Sequence, residues 1–288
     1  MSTSHKPIEF GRHKITIEDI ANIAKNNGSV KLSNDDTFKQ KIDSGVKFLD
    51  ELLATEGVIY GVTTGYGDSC TVNVPVDVAE ELPIHLTRFH GCGLGEHFSI
   101  EQGRAILATR LCSLTQGYSG VSWPLLDLLC DFINKGITPV IPQEGSVGAS
   151  GDLTPLSYVA ATLIGEREVY FNGEKIKASD ALSIASLEPI KLRPKEGLAL
   201  MNGTAVMTGL ACLAFKRAEY LTKLCARLTA MTSLSLKGNG NHFDDILFSV
   251  KPHPGQNQIA KWIQTDLNHF DHPRNSDRLQ DRYSIRCA

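Results

Sequence analysis

The sequence predicts a mainly α-helical protein, with the first long helices of a helical bundle in its C-terminal part and one minor β-hairpin. Three observations carry this prediction. Apolar residues recur at helical spacing along most of the chain. Residues Glu196 to about Leu236 form a run of some forty residues without proline, apolar at nearly every third or fourth position. Asn172-Gly173 separates two short β-like segments, the strongest short-range signal for a hairpin turn. Globular helices typically span ~11–12 residues, so a helix of that length needs other long helices to cover it. The pattern divides the chain into an N-terminal domain over 1–195 and the start of a central long-helix bundle over 196–288.

The elements run in order along the chain. Thr16 opens a first short helix, with Asp19 at the third position of a capping arrangement. Ser33 starts a second, where Phe38, Ile42, Leu49 and Leu53 recur at near-helical spacing. Gly57 to Gly67 holds four glycines in eleven residues, too many for a helix interior. Ser99 with Gln102 forms another capping box ahead of Ile106, Leu107, Leu111 and Leu114. Pro124 begins a further helix at a position where its missing N–H costs nothing. Residues 136–155, with three prolines and four glycines, read as irregular, and a helix continues from there to Leu163. Val169-Tyr170-Phe171 and Lys175-Ile176 flank the hairpin turn. After the long run, 238–255 reads as loop, and Ile259, Trp262, Ile263 and Leu267 mark another helix. The sequence stops at Arg286-Cys287-Ala288 without a polar tail, and the long helix lacks partners of equal length. Both features predict a truncated bundle, completed by a missing C-terminal half or by other subunits.

Charge and composition exclude several classes. The net charge of −3 comes from 29 basic and 32 acidic residues with no long run of either sign. Nucleic acid and an acidic membrane surface are therefore not expected partners. The seven cysteines (70, 92, 112, 130, 212, 225 and 287) form no Cys-x-x-Cys pair and read as buried thiols in a reducing compartment. Met1 to Phe10 lacks the apolar stretch of a secretory signal, so a cytoplasmic location is expected. Leu198 to Phe215 is largely apolar, but Asn202, Gly203, Thr204, Thr208 and Gly209 interrupt it. It reads as a buried helix, because a membrane span needs ~20 predominantly apolar residues. His85, His90 and His97 lack ligand spacing such as H-E-x-x-H, so no metal site is expected.

The densest chemical signal is Gly145-Ser146-Val147-Gly148-Ala149-Ser150-Gly151-Asp152-Leu153-Thr154-Pro155-Leu156. A hydrolase elbow G-x-S-x-G would need glycine at 152, where Asp152 stands. No Gly-Lys-Ser/Thr comes after it, which excludes a phosphate-binding loop and any nucleotide it would hold. The bland alternative is a flexible turn capped by Asp152 ahead of a helix. A sharper reading uses every residue. In a tight bend the amide nitrogen of Gly151 can attack the carbonyl carbon of Ala149, since a residue without Cβ allows the approach. Loss of water closes a five-membered ring, and loss of the Ser150 hydroxyl as a second water leaves an exocyclic methylidene. N–H groups at the start of the next helix would stabilise negative charge on the ring oxygen.

This segment resembles the prosthetic-group motif of the histidine, phenylalanine and tyrosine ammonia-lyase family. Tyr60-Gly61-Val62-Thr63-Thr64-Gly65-Tyr66-Gly67 resembles the family's tyrosine loop, and Asn202-Gly203-Thr204 its asparagine-bearing helix start. His253-Pro254-Gly255-Gln256 resembles a family loop, and Gln280-Asp281-Arg282-Tyr283-Ser284-Ile285-Arg286 its carboxylate-binding segment. The resemblance implies a methylidene-imidazolone formed from Ala149, Ser150 and Gly151, with Asp152 supporting cyclisation. It implies that the methylidene takes up the substrate's α-amino group while Tyr60 removes a β-proton, giving an aryl-acrylate and ammonia. A phenol is a weak base at its ordinary pKa of ~10, so such a base works as phenolate or through a neighbouring donor network. Arg286 matches the residue that grips the substrate carboxylate with its bidentate fork. Gly67, Asn202, Gln280 and Tyr283 match groups around substrate and ring. The resemblance also implies a homotetramer acting on a small aromatic amino acid.

Phe89-His90 aligns with the pair that contacts the substrate ring and departs from the pairs usual for histidine, tyrosine and phenylalanine lyases. His90 suits an imidazole or a phenol. Facing a plain phenyl ring it would be left unpaired, at a cost of ~1–3 kcal/mol. Histidine is therefore the expected substrate, with tyrosine next, although Thr63 stands where histidine lyases often have asparagine. An aminomutase with the same group is the alternative reaction, and a non-enzymatic homologue the alternative class.

Overall fold

Side-chain caps mark several helix starts in the computed structural model, which describes residues 6–26, 28–55, 57–146, 150–268 and 274–288. The chain is 57% helix and 9% strand. β1 (Ile8–Phe10) leads to α1 (Ile17–Ala24), where Thr16 and Asp19 form the expected capping box. β2 (Val30–Leu32) pairs in parallel with β1. α2 (Asp36–Thr55) begins later than Ser33, because the Asp35 carboxylate accepts from the N–H groups of Thr37 and Phe38 while Ser33 Oγ is engaged by Glu9. A glycine-rich loop comes next, then a 3-10 turn over Gly67–Thr71, α3 (Val76–Ala79), α4 (Leu82–His90) and β3 (Leu94–His97). α5 (Ile100–Leu114) carries the Ser99–Gln102 capping box, and α6 (Trp123–Lys135) has its proline in the first turn.

The described residues of 136–155 hold more regular structure than their composition suggests. β4 (Thr138–Pro139) and β5 (Pro142–Glu144) lie there, with β5 antiparallel to β3. Strands of two or three residues are too short to show a period. α7 (Leu153–Leu163) comes after them, then the hairpin β6 (Glu168–Phe171) and β7 (Glu174–Lys177), with β4 completing the order β4-β6-β7. Asn172 and Gly173 take φ of +51° and +84°, as a two-residue primed turn requires. α8 (Ala178–Ile184) leads into the long apolar run, which is not one helix. It divides into α9 (Glu196–Met201) and α10 (Ala205–Ser235), because Asn202 turns extended and Gly203 adopts φ +140°. The expected loop 238–255 also holds structure: a 3-10 turn over Gly240–Phe243 and α11 (Asp245–Ser249), capped by Asp244. α12 (Pro254–Leu267) and α13 (Tyr283–Arg286) complete the chain.

The backbone divides into two compact units, 1–213 and 214–288, with the division inside α10, whereas the sequence pattern changes at 195/196. The first unit is built around α5, whose residues from Gly103 to Leu111 are all buried. By length and composition the run Glu196–Ser235 could cross a membrane, yet Ala205, Val206, Cys212 and Leu213 belong to the first unit's core. The second unit has its own core of Ala226, Ala230, Phe243, Ile263, Leu267 and Ile285. The cysteines are not uniformly buried: Cys130 and Cys212 are, but Cys70, Cys92, Cys225 and Cys287 are exposed. Burial pushes the Cys130 thiol up to about 12.

Three helices of the first unit carry candidate site residues at or next to their ends. α4, α7 and α9 pack against one another pairwise. α9 approaches α4 so closely at Gly197 that a Cβ there would lie 2.8 Å from Pro83 Cα. The C-terminal end of α4 carries Phe89 and His90, the turn before α7 carries Ser150, and the C-terminal end of α9 carries Asn202.

Candidate active site

These three helix ends and the glycine-rich loop line one cavity of about 650 Å³, which brings together Tyr60, Gly67, Phe89, His90, Ser150 and Asn202. Every one of these is a candidate from the sequence. Gly151 and Asp152 continue the turn beyond Ser150, and Ala149 lies outside the described residues. Among the described residues, no three His, Cys, Asp or Glu side chains gather as a metal site.

The tyrosine loop is held from beneath by buried hydroxyls. Thr63 Oγ1 donates to the Gly57 carbonyl and accepts from the Ile59 N–H, and Thr64 Oγ1 accepts from the Gly61 N–H. Tyr60 is half exposed, and its phenol oxygen accepts from the Gly67 N–H at 3.0 Å. That bond fixes the oxygen and leaves the hydroxyl proton directed elsewhere. Tyr66 lies under the loop, and burial, with Tyr60 beside it, pushes its phenol up to about 12.

Opposite the tyrosine, Ser150 Oγ donates to Asn202 Oδ1 at 2.9 Å. The Ser150 carbonyl oxygen accepts from the Leu153 N–H at 3.0 Å, at the first residue of α7. The bland alternative, in which Asp152 caps the helix that follows it, does not hold. It makes no side-chain cap on α7, and its Oδ2 instead accepts from the N–H groups of Val206 and Met207, at 2.9 and 3.1 Å. One carboxylate thereby satisfies two of the orphan donors at the start of α10 and ties the serine turn to the asparagine segment.

His90 Nδ1 lies 3.0 Å from the Leu86 carbonyl. A carbonyl only accepts, so Nδ1 carries the proton and a neutral ring presents Nε2 as an acceptor. Phe89 meets His90 edge to face, with ring centroids 5.1 Å apart, and is 80% exposed. Gln280, Tyr283 and Arg286 belong to the second unit. There Asp281 is buried and accepts from the Asn239 backbone N–H at 2.9 Å, which pins the segment. The Arg286 guanidinium lies 6.0 Å from the centre of the exposed Tyr283 ring.

Sequence reasoning missed His85 and Tyr66, which line the same cavity. His85 is one helical turn before Phe89, so the i, i+4 spacing was the available signal. It also missed Arg110, a buried cation on the helix behind the site, whose signal was a charge inside an otherwise apolar stretch.

The fold is that of solved enzymes acting on aromatic amino acids. The structure matches tyrosine aminomutase from Streptomyces globisporus with a TM-score of 0.87 and 32% identity, covering 98% of this chain and 57% of that one. The chain belongs to the aromatic amino acid lyase family, matched over residues 15–288. It is 36% identical to histidine ammonia-lyase from Homo sapiens, over 98% of this chain and 44% of that protein. It is 39% identical to histidine ammonia-lyase from Gloeobacter violaceus, over 95% of this chain and 54% of that protein. The chain spans about half the length of the curated relatives it matches.

Proposed function

We propose that the chain acts as an aromatic amino-acid ammonia-lyase, a carbon–nitrogen lyase that eliminates ammonia from L-histidine to give urocanate. The observation that carries this reading is the hydrogen bond between Ser150 and Asn202 in a cavity shared with Tyr60 and His90.

The family implies a methylidene-imidazolone made from Ala149, Ser150 and Gly151, and the residues present fit it. Forming it makes one bond, from the Gly151 nitrogen to the Ala149 carbonyl carbon. The Ala149 oxygen leaves as water with the N–H protons of Gly151 and Ser150. Ser150 Oγ leaves as a second water with the Ser150 Cα proton. The Leu153 N–H already sits on the Ser150 carbonyl oxygen, where the ring oxygen would remain, and Asn202 already holds the departing hydroxyl. When present, the group supplies an electrophile that makes the substrate's amine a better leaving group.

The chain's own residues do the rest. Tyr60 takes the β-proton at its phenol oxygen, which the Gly67 N–H holds in place. His90 accepts a hydrogen bond from the substrate ring at Nε2, a contact that imidazole N–H or phenol O–H supplies and phenyl does not. Arg286 pairs with the substrate carboxylate, with Gln280 and Tyr283 nearby in sequence. Histidine is favoured over tyrosine by the histidine ammonia-lyases among the relatives. Tyrosine, and an aminomutase reaction, form the second reading, favoured by the likeness to the tyrosine aminomutase structure. The exposed Phe215, Tyr220, Leu221, Leu228 and Met231 of α10 support its burial in a homotetramer, and a cytoplasmic location completes the proposal.

Intact mass and peptide mapping across Ala149 to Gly151 test it. A deficit of two water molecules is expected, and an unmodified peptide would overturn the prosthetic-group reading. Incubation with L-histidine and L-tyrosine then separates urocanate, coumarate and β-amino acid by product.

A further inference from the structure

Arg110 lies on α5, behind the cavity, and touches neither Tyr60 nor Ser150. Its side chain is 3% exposed, and among the described residues it forms no direct ion pair. Holding a guanidinium charged in such a place is costly unless its surroundings are fixed around it. The surroundings are all parts of one joint. Its Nη2 donates to the Ala199 carbonyl, in the last turn of α9. Its Nη1 fills the space beside Gly203, where a Cβ would lie 2.5 Å from that nitrogen. The neighbouring Thr109 Oγ1 donates to the Ala205 carbonyl at 2.7 Å, at the first residue of α10. Asp152 completes the joint from the other side, through the Val206 and Met207 N–H groups. Charges therefore alternate through the break between α9 and α10: the Ala199 carbonyl, the guanidinium, the carboxylate, and the N–H end of α10.

We infer that Arg110 is a positioning residue: by gripping Ala199 and backing Gly203, it sets Asn202 against Ser150 and so governs how fast the Ala149-Ser150-Gly151 turn closes. Asn202 lies between these two contacts, immediately before Gly203, and its Oδ1 holds the Ser150 hydroxyl. Burial draws the Arg110 guanidinium down to about 10 and the Asp152 charge opposes that fall, so the two groups sense each other across the joint. The closure part of this inference rests on the prosthetic-group reading; the joint itself does not. A lysine can reach one acceptor but has no planar fork with which to hold Ala199 and back Gly203 together.

The test uses the full chain with Arg110→Lys, Arg110→Met and Gly203→Ala. The last presses a methyl group onto Nη1 without removing the charge. Gly173→Ala, at the hairpin tip with φ +84°, is the control for plain loss of stability. Two readouts are used: the rate of two-water loss from the Ala149 to Gly151 peptide, and amide hydrogen exchange. Arg110→Lys and Gly203→Ala are expected to slow water loss about tenfold, the effect of one lost charge-assisted hydrogen bond. Exchange at Asn202, Val206 and Met207 should quicken by a similar factor while α6 exchanges as before. Gly173→Ala should leave both unchanged. Wild-type rates and wild-type exchange in folded Arg110→Lys would overturn the inference, as would equal slowing by Gly173→Ala. If Arg110→Met does not fold, the Gly203→Ala and Arg110→Lys data decide. If the wild-type chain loses no water, the prosthetic-group reading falls, and the exchange pattern alone decides whether Arg110 holds the joint.

Discussion

The two polar sides of the cavity are built by opposite means. The loop bearing Tyr60 is fixed by neutral contacts: two threonine hydroxyls, backbone groups, and the Gly67 N–H on the phenol. The side bearing Ser150 and Asn202 is fixed by charge, with Asp152 and Arg110 on either side of a helix break. Neutral hydrogen bonds contribute about 0.5–1.5 kcal/mol each, and bonds to charged groups about twice that. On the function proposed above, the side that carries the base has the softer mount, and the side that carries the cyclising turn has the stiffer one.

The comparison is broken most severely by Ser150→Ala. With no hydroxyl to leave, no methylidene forms, and turnover is expected to vanish. The peptide map would show at most one water lost, and substantial turnover would refute the role of Ser150. Tyr60→Phe should come next: the peptide still loses two waters, while turnover falls by about 10²- to 10⁴-fold, the usual worth of a general base. Full activity in that variant would require another base. A smaller effect is expected from Thr63→Val, which strips the loop of two bonds. Unfolding in urea should show a loss of about 1–3 kcal/mol, with the water-loss rate unchanged because the charged side is untouched. Slower water loss would mean that the two sides are not independent.

The smallest effect concerns Tyr66. Its folded phenol sits above its ordinary value, so its contribution to stability is complete below pH 10 and declines as pH rises toward about 12. Unfolding midpoints across that window should fall for the wild-type chain and stay flatter for Tyr66→Phe. Parallel curves would show that the underside of the loop is wet.

Much of the fold and site is legible in the sequence, and the reasons differ by residue. The capping boxes at Thr16–Asp19 and Ser99–Gln102 depend on contacts three residues apart, so spacing suffices to read them. The Asn172-Gly173 hairpin is equally local. Ser33 misleads because the true cap, Asp35, stands two residues on, and the serine hydroxyl is claimed by Glu9 from another strand. The apolar run from Glu196 reads as one helix because only an extended Asn202 and a positive φ at Gly203, where a Cβ would meet Arg110, interrupt the periodicity. Asp152 looks like a cap for the helix it precedes, and its partners lie fifty-four and fifty-five residues away.

By itself the sequence determined the helical class and the family, and marked Tyr60, Ser150, Gly151 and Asn202 as candidate chemistry, because side-chain type and short-range spacing are written directly in the chain. Only the tertiary structure decided which helix Asp152 caps, why a cation sits inside α5, and how three helix ends meet around one cavity. Those depend on groups that become neighbours after burial, when an unpaired charge or an orphan N–H has to find its partner wherever the packed helices have brought one within reach.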